Sequence, residues 1–203
     1  MRVPLIFSLI HLLFSAPPAS AQLYADCDSA FWIGTQYKLH FTGAYGIGNN
    51  AEEAKRVECF FNGENYGQAE ENSTWLRFAI EKAGTLRFTI QPDSLGDDYD
   101  FVLYRLPADG QCSKKKTIRC MASGANPVDD PNSPCLGATG LRDREWGNSA
   151  DAGCSDWGDN AWLKPVPVKP GEQYVLLISN ISHPINGFVI HFKGDFTFQE
   201  NPE

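Results

Sequence analysis

Apolar side chains recur at alternate positions in short runs along this chain, and Gly, Pro, Asn and Asp separate the runs. In residues 75–80, Leu76, Phe78 and Ile80 alternate with Trp75, Arg77 and Ala79; after Lys82-Ala83-Gly84 the alternation resumes with Leu86, Phe88 and Ile90. The two runs predict a β-hairpin. A third run follows Pro92-Asp93-Ser94-Leu95-Gly96-Asp97 and sets Tyr99, Phe101 and Leu103 on one face against Asp98, Asp100, Val102 and Tyr104 on the other. Further strands are predicted over 173–179 and 187–192, with Phe188, Ile190 and Phe192 pointing inward. Helical periodicity is weak throughout, and its best window, 51–57, is about two turns with little apolar surface. The pattern predicts an all-β, antiparallel sandwich. Between residues 121 and 170 the chain turns rich in Gly, Pro, Asn and Asp, which predicts a long irregular excursion from that sandwich.

The first residues change the picture from fold to compartment. Arg2, an apolar run over 4–14 and Ala19-Ser20-Ala21 form a signal-peptide pattern over residues 1–21, with a mature chain expected from Gln22. The apolar run is too short to span a bilayer, so no membrane insertion is expected. Removing 21 of 203 residues leaves 182, a length that suits one domain: an N-terminal extension over 22–51, a sandwich over 52–198 and a short polar tail over 199–203. All six cysteines, Cys27, Cys59, Cys112, Cys120, Cys135 and Cys154, follow the leader, and an even count behind an export signal predicts three disulfides. Their spacing fits no zinc pattern. Six cysteines allow fifteen pairings; local spacing favours Cys112–Cys120 across a turn, Cys135–Cys154 closing the excursion, and Cys27–Cys59 at the N-terminus.

Charge narrows the partner. The leader holds one of the 17 basic residues, leaving 16 Lys and Arg against 25 Asp and Glu, a formal charge of −9. Such a surface repels phosphates, so nucleic acid is not an expected partner. Lys114-Lys115-Lys116, the one basic run, reads as a solvated turn.

Four stretches occur in order: Glu70-Glu71-Asn72-Ser73-Thr74-Trp75-Leu76-Arg77-Phe78, Ala83-Gly84-Thr85-Leu86, Asp97-Asp98-Tyr99-Asp100-Phe101-Val102-Leu103-Tyr104 and Gly171-Glu172-Gln173-Tyr174. Together they resemble the bacterial pre-peptidase C-terminal (PPC) type domain, in the variety found in gliding-motility-associated and type IX-secreted surface proteins. The resemblance covers residues 52 to 192. It implies a jelly-roll sandwich akin to collagen-binding domains, a non-catalytic role in adhesion, and calcium binding.

Calcium takes about six to eight oxygen ligands, which loops dense in Asp and Asn supply. Glu71 and Asn72, with Glu70 beside them, precede one strand; Asp97, Asp98 and Asp100 open another, with Asp98 and Asp100 projecting to one side. These five are the expected metal ligands. Asp151, Asp156 and Asp159, near Cys154, form a second, weaker candidate. Trp146, Trp157 and Trp162 offer a ligand surface that sugars would use by stacking, although packing of the excursion onto the sandwich is the commoner use of such aromatics. No catalytic motif occurs, so an enzyme is not expected; a small secreted hydrolase ranks last. The sequence thus predicts a secreted calcium-binding interaction module at or outside the cell surface, with the periplasm as the other compartment. Its partner is a surface protein or matrix, or, as the alternative, a glycan.

Overall fold

In the computed structural model, which describes residues 23–43, 46–50, 53–54, 57–60, 70–125, 128–154, 159–182 and 186–201, the alternating runs build two packed sheets. The predicted leader lies outside the described residues. The first sheet contains β1 (Phe31–Trp32), β3 (Ser73–Lys82), β5 (Tyr99–Leu106), β6 (Lys116–Met121), β8 (Ser149–Ala150) and β11 (Gln173–Asn180), in the order β1-β3-β11-β5-β6-β8, and β13 (Thr197–Phe198) also pairs with β3. The second contains β2 (Lys38–Phe41), β4 (Gly84–Pro92), β7 (Thr139–Leu141), β9 (Trp162–Leu163) and β12 (Phe188–Lys193), in the order β2-β12-β4-β7-β9, with β10 (Val166–Val168) also on β4. When β2, β3, β4, β5, β6, β7, β11 and β12 are numbered one to eight along the chain, the sheet centres read 2-7-4-5 and 1-8-3-6. That is jelly-roll topology.

Three features differ from the expected layout. The sandwich starts before residue 52, because β1 and β2 already belong to the two sheets. The sheets are antiparallel at their centres, but β1–β3, β6–β8 and β7–β9 pair in parallel. Each parallel partner returns through a long connection, which a tight hairpin turn cannot provide. The stretch 121–170 is not wholly an excursion either, since β7, β8, β9 and β10 lie within it. At Gly140 of β7 the backbone has φ +147°, and a Cβ would run into the carbonyl of Phe88, so only glycine lets β7 lie against β4. Among the described residues the helical turns are 3-10 only, at Cys27–Ser29, Glu58–Phe60 and Cys112–Lys114; part of the predicted 51–57 window lies outside those residues.

The alternation sorts side chains into two cores. Leu76, Phe78 and Ile80 meet Leu86, Phe88, Ile90, Phe188 and Phe192 between the sheets. Phe88 sits edge-on to Phe101 at 5.1 Å between ring centroids. The opposite face of the first sheet carries Trp75, Val102, Tyr104 and Leu177, apolar groups that a bare sandwich would leave in water. Residues near the N-terminus cover them: Cys27, Ala54, Val57, Cys59 and Phe60 complete this second core.

Two of the expected pairings are corrected. The disulfides are Cys27–Cys112, Cys59–Cys120 and Cys135–Cys154, so only the last matches local spacing. Cys112 and Cys120 each take a partner from the N-terminal cover because Cys27 and Cys59 lie with them in the second core, on the outer side of the first sheet. The two bridges thereby fasten the cover to the sheet that it protects.

Candidate metal centre

Strand register brings the acidic strand start beside two neighbours at one end of the first sheet. Ser73 lies opposite Ser179, and Ser179 opposite Asp100. Because Tyr99 and Phe101 face the inter-sheet core, Asp100 projects to the outer side, with Asp98 two residues earlier directed the same way. Asp100 is only 6% exposed, and one of its carboxylate oxygens is buried with no hydrogen-bond partner among the described residues. Glu71 is held near by reciprocal bonds: its N–H donates to Ser179 Oγ, and that hydroxyl donates to the Glu71 carbonyl, both at 2.8 Å. The N–H of Asp98 donates to Ser182 Oγ at 2.6 Å. Gly124 supplies the remaining space, because a Cβ there would enter the Asp98 carboxylate.

This arrangement disfavours free negative charge. Burial pushes the Asp98 carboxyl up to about 6. Asp100 is pushed well above the carboxylate range, first by burial and then by the charges of Asp98 and Glu71. Among the described residues no Lys, Arg or His pairs with Glu71, Asp98 or Asp100. Nor do three His, Cys, Asp or Glu side chains among those residues stand close enough to hold one ion between them. In kind, however, the donors suit a hard cation: carboxylates, the Ser179 and Ser182 hydroxyls and backbone carbonyls, all oxygen.

The rest of the predicted ligand set is placed elsewhere. Asp97 belongs to the other side of β5, where its Oδ1 accepts from Asn186 Nδ2 at 3.1 Å and its other oxygen is buried without a partner among the described residues. Asn72, at φ 45°, is occupied by backbone contacts: its Oδ1 accepts from Gly46 N–H and its Nδ2 donates to the Asn180 carbonyl. In the weaker acidic group Asp151 is exposed and Asp159 half-buried, whereas Asp156 lies outside the described residues, as does Trp157. Trp146 is 87% exposed, while Trp162 has the Arg142 guanidinium 4.8 Å from its ring centroid.

No family model matches the chain. No curated protein matches it either. Among solved structures, CorA, a surface-associated copper-binding protein important in copper acquisition by Methylomicrobium album BG8, aligns with 8% identity and a TM-score of 0.35 over 81% of this chain and 96% of that one. A likeness at this level bears on neither fold nor function.

Sequence reasoning missed a polar group on the outer side of the first sheet. Glu70 turns away from the acidic strand start and accepts from Trp75 Nε1 at 2.7 Å, and burial raises its carboxyl to about 7. Lys115 is not a solvated turn residue; its ammonium lies over the Trp75 and Tyr104 rings, 5.5 and 5.4 Å from their centroids. The available signal was Trp75 and Tyr104 themselves, two large aromatics that alternate with the inter-sheet core positions.

Proposed function

We propose that this chain is an exported, disulfide-stapled jelly roll that acts by binding a protein or matrix partner outside the cell, and that Asp98 and Asp100, with Glu71 nearby, take calcium as a structural ion. The observation that carries the metal reading is the buried, unpartnered oxygen of Asp100 beside a second carboxyl, with no protein cation among the described residues to balance either. Buried charge is tolerated only when paired or coordinated. At most two of these acids contact the ion directly in the geometry described, and hydroxyl, carbonyl and water oxygens complete the shell. The ion would link the ends of β3, β5 and β11 and brace Gly124, where the turn-rich stretch begins.

Export is supported by the leader pattern and by three disulfides that an oxidising compartment preserves. A role in binding, and not catalysis, is supported by the PPC-type resemblance and by the lack of a catalytic motif in the sequence. Thermal melting in calcium and in chelator tests the reading. An ion present at a hundredfold excess over its Kd adds about 2.7 kcal/mol, which raises the midpoint by roughly 5 to 10 °C for a domain near this size. The Asp98→Asn, Asp100→Asn double variant should lose that increment while melting no lower than wild type in chelator. Identical wild-type melting in both buffers would remove the ion.

A further inference from the structure

The two sheets differ on their outer sides. The N-terminal cover lies over the first, whereas on the second every outward side chain of β2, β12, β4, β7 and β9 is half-buried or exposed. Leu86, Phe88, Leu141, Leu163 and Phe192 face the core, so their chain neighbours Arg87, Arg142, Lys164 and Lys193 point the other way. Strand register aligns these four. Lys193 lies opposite Arg87, the antiparallel pairing of Phe88 with Leu141 sets Arg87 beside Arg142, and the parallel pairing of Leu141 with Leu163 sets Arg142 beside Lys164. One row of four cations therefore crosses four adjacent strands, roughly 14 Å at the usual strand spacing. In the next row Lys38 lies opposite His191. An acidic chain thus gathers positive charge on one open face.

Acidic groups offset only part of that charge. Asp143 accepts from Arg87 Nε at 2.8 Å, and Glu145 pairs with Arg142. Asp195, at the margin, accepts from the Thr85 N–H. Lys38, Lys164 and Lys193 have no side-chain hydrogen bond or ion pair among the described residues. Desolvation, and then the charges of Lys193 and Lys38, hold the His191 imidazole below its ordinary range. Like charges directly opposite one another destabilise a sheet, so a polyanion laid along the row would relieve repulsion already present. Duplex DNA carries a charge about every 1.7 Å of its axis, too dense for a row interrupted by Asp143 and Glu145. A carboxylated polysaccharide fits better, because its charges are separated by hydroxyls that can donate to those two carboxylates. Trp146, 87% exposed, stands in the loop after β7, next to Gly147, whose carbonyl accepts from the Lys164 N–H, so an aromatic ring is available to a sugar ring at the end of the row. We propose that the outer face of the second sheet binds an anionic polysaccharide of the uronate class along Lys193, Arg87, Arg142 and Lys164, with Trp146 against a ring at the end of that row.

This gives the matrix partner a chemistry and rests on that part of the proposed function, but not on calcium, so the titration is run in chelator. Isotope-labelled protein at low salt receives oligogalacturonate, with dextran oligomers as the uncharged control and single-stranded DNA and phosphatidylglycerol vesicles as competing polyanions, and NMR follows amide and imidazole shifts. Oligogalacturonate should give saturable shifts centred on β12, β4, β7 and β9, raise the His191 midpoint, and lose affinity as salt rises. The Lys164→Gln, Lys193→Gln double variant removes two unpaired cations outside the core, so it should melt as wild type does while binding roughly three- to tenfold more weakly. Trp146→Ala should also weaken binding without lowering the melting temperature. The inference is overturned if this face gives no saturable shifts, if the His191 midpoint stays in place, if DNA or vesicles bind more tightly than the oligosaccharide, or if both variants bind as wild type does. Dextran binding as well as oligogalacturonate would overturn the uronate assignment while leaving a matrix partner, and calcium-dependent melting is untouched by either result.

Discussion

Replacing Glu70 by Gln should remove a defined part of the pH dependence of folding. Glu70 is 4% exposed; one carboxylate oxygen accepts from Trp75 Nε1 at 2.7 Å, and the other is buried without a partner among the described residues. Burial pushes the carboxyl up to about 7, against the opposing hydrogen bonds of Trp75 and Ser73. In the unfolded chain the same group titrates near its ordinary value of 4.5. Between these two points the folded state holds the proton more tightly, so stability falls as pH rises through the window and is flat below it. The cost at the alkaline end is about 2–3 kcal/mol, allowing for the water that still reaches the group. Gln keeps the carbonyl acceptor for Trp75 but cannot ionise. Urea unfolding in chelator at about pH 4 and about pH 8 should show the variant gaining about 2–3 kcal/mol on wild type between them. Asp98 and Asp100 also titrate in the folded state, but their contribution is common to both proteins and cancels in the difference. A wild-type-to-variant difference that stays constant across that range would refute the reasoning.

Removing disulfides should cost stability that rises slowly, as the logarithm, with the length of the loops they close. Cys59–Cys120 spans 61 residues, and its replacement by alanines should lower the unfolding free energy by about 4 kcal/mol. Cys135–Cys154 spans 19, and its removal should cost about 3 kcal/mol by the same denaturant measurement. Non-reducing peptide mapping should recover these two links and Cys27–Cys112; a Cys112–Cys120 peptide would contradict the fold of the N-terminal cover. Gly140→Ala should lower the melting temperature by several degrees, an effect of roughly 1–3 kcal/mol, because its Cβ meets the Phe88 carbonyl at φ +147°. A variant that melts like wild type would show that β7 does not approach β4 so closely.

Much of the sandwich is legible in the sequence because long strands with one buried face leave a period of two. Residues 75–80, 86–90 and 99–104 carry that period; β4 follows it in burial, whereas β3 and β5 are buried on both faces and their alternate positions divide between the two cores. The short strands β7 to β10 have two or three residues each, too few to show any period, so 121–170 read as loop. The outer core was half visible. Val102 and Tyr104 share a face with Asp98 and Asp100, and two apolar groups there already required a cover, but nothing local says that the cover comes from residues before 61. The same long-range contact decides the cysteines: Cys112 and Cys120, eight residues apart, each bond to a residue more than 60 positions away. Within the acidic motif, the two-residue spacing placed Asp98 and Asp100 on one side. It could not reveal that Asn72 is engaged by Gly46 and Asn180, or that Glu70 turns to Trp75.

Isothermal titration of the mature protein with calcium tests the metal reading most directly, because it returns stoichiometry as well as affinity. One ion per chain is expected near neutral pH, with binding lost in Asp100→Asn and strongly weakened in Asp98→Asn. Lowering the pH below the Asp98 midpoint of about 6 should weaken binding in wild type, since protons compete for the same oxygens. No heat and no retained calcium, or binding that neither substitution alters, would contradict a calcium site at the start of β5.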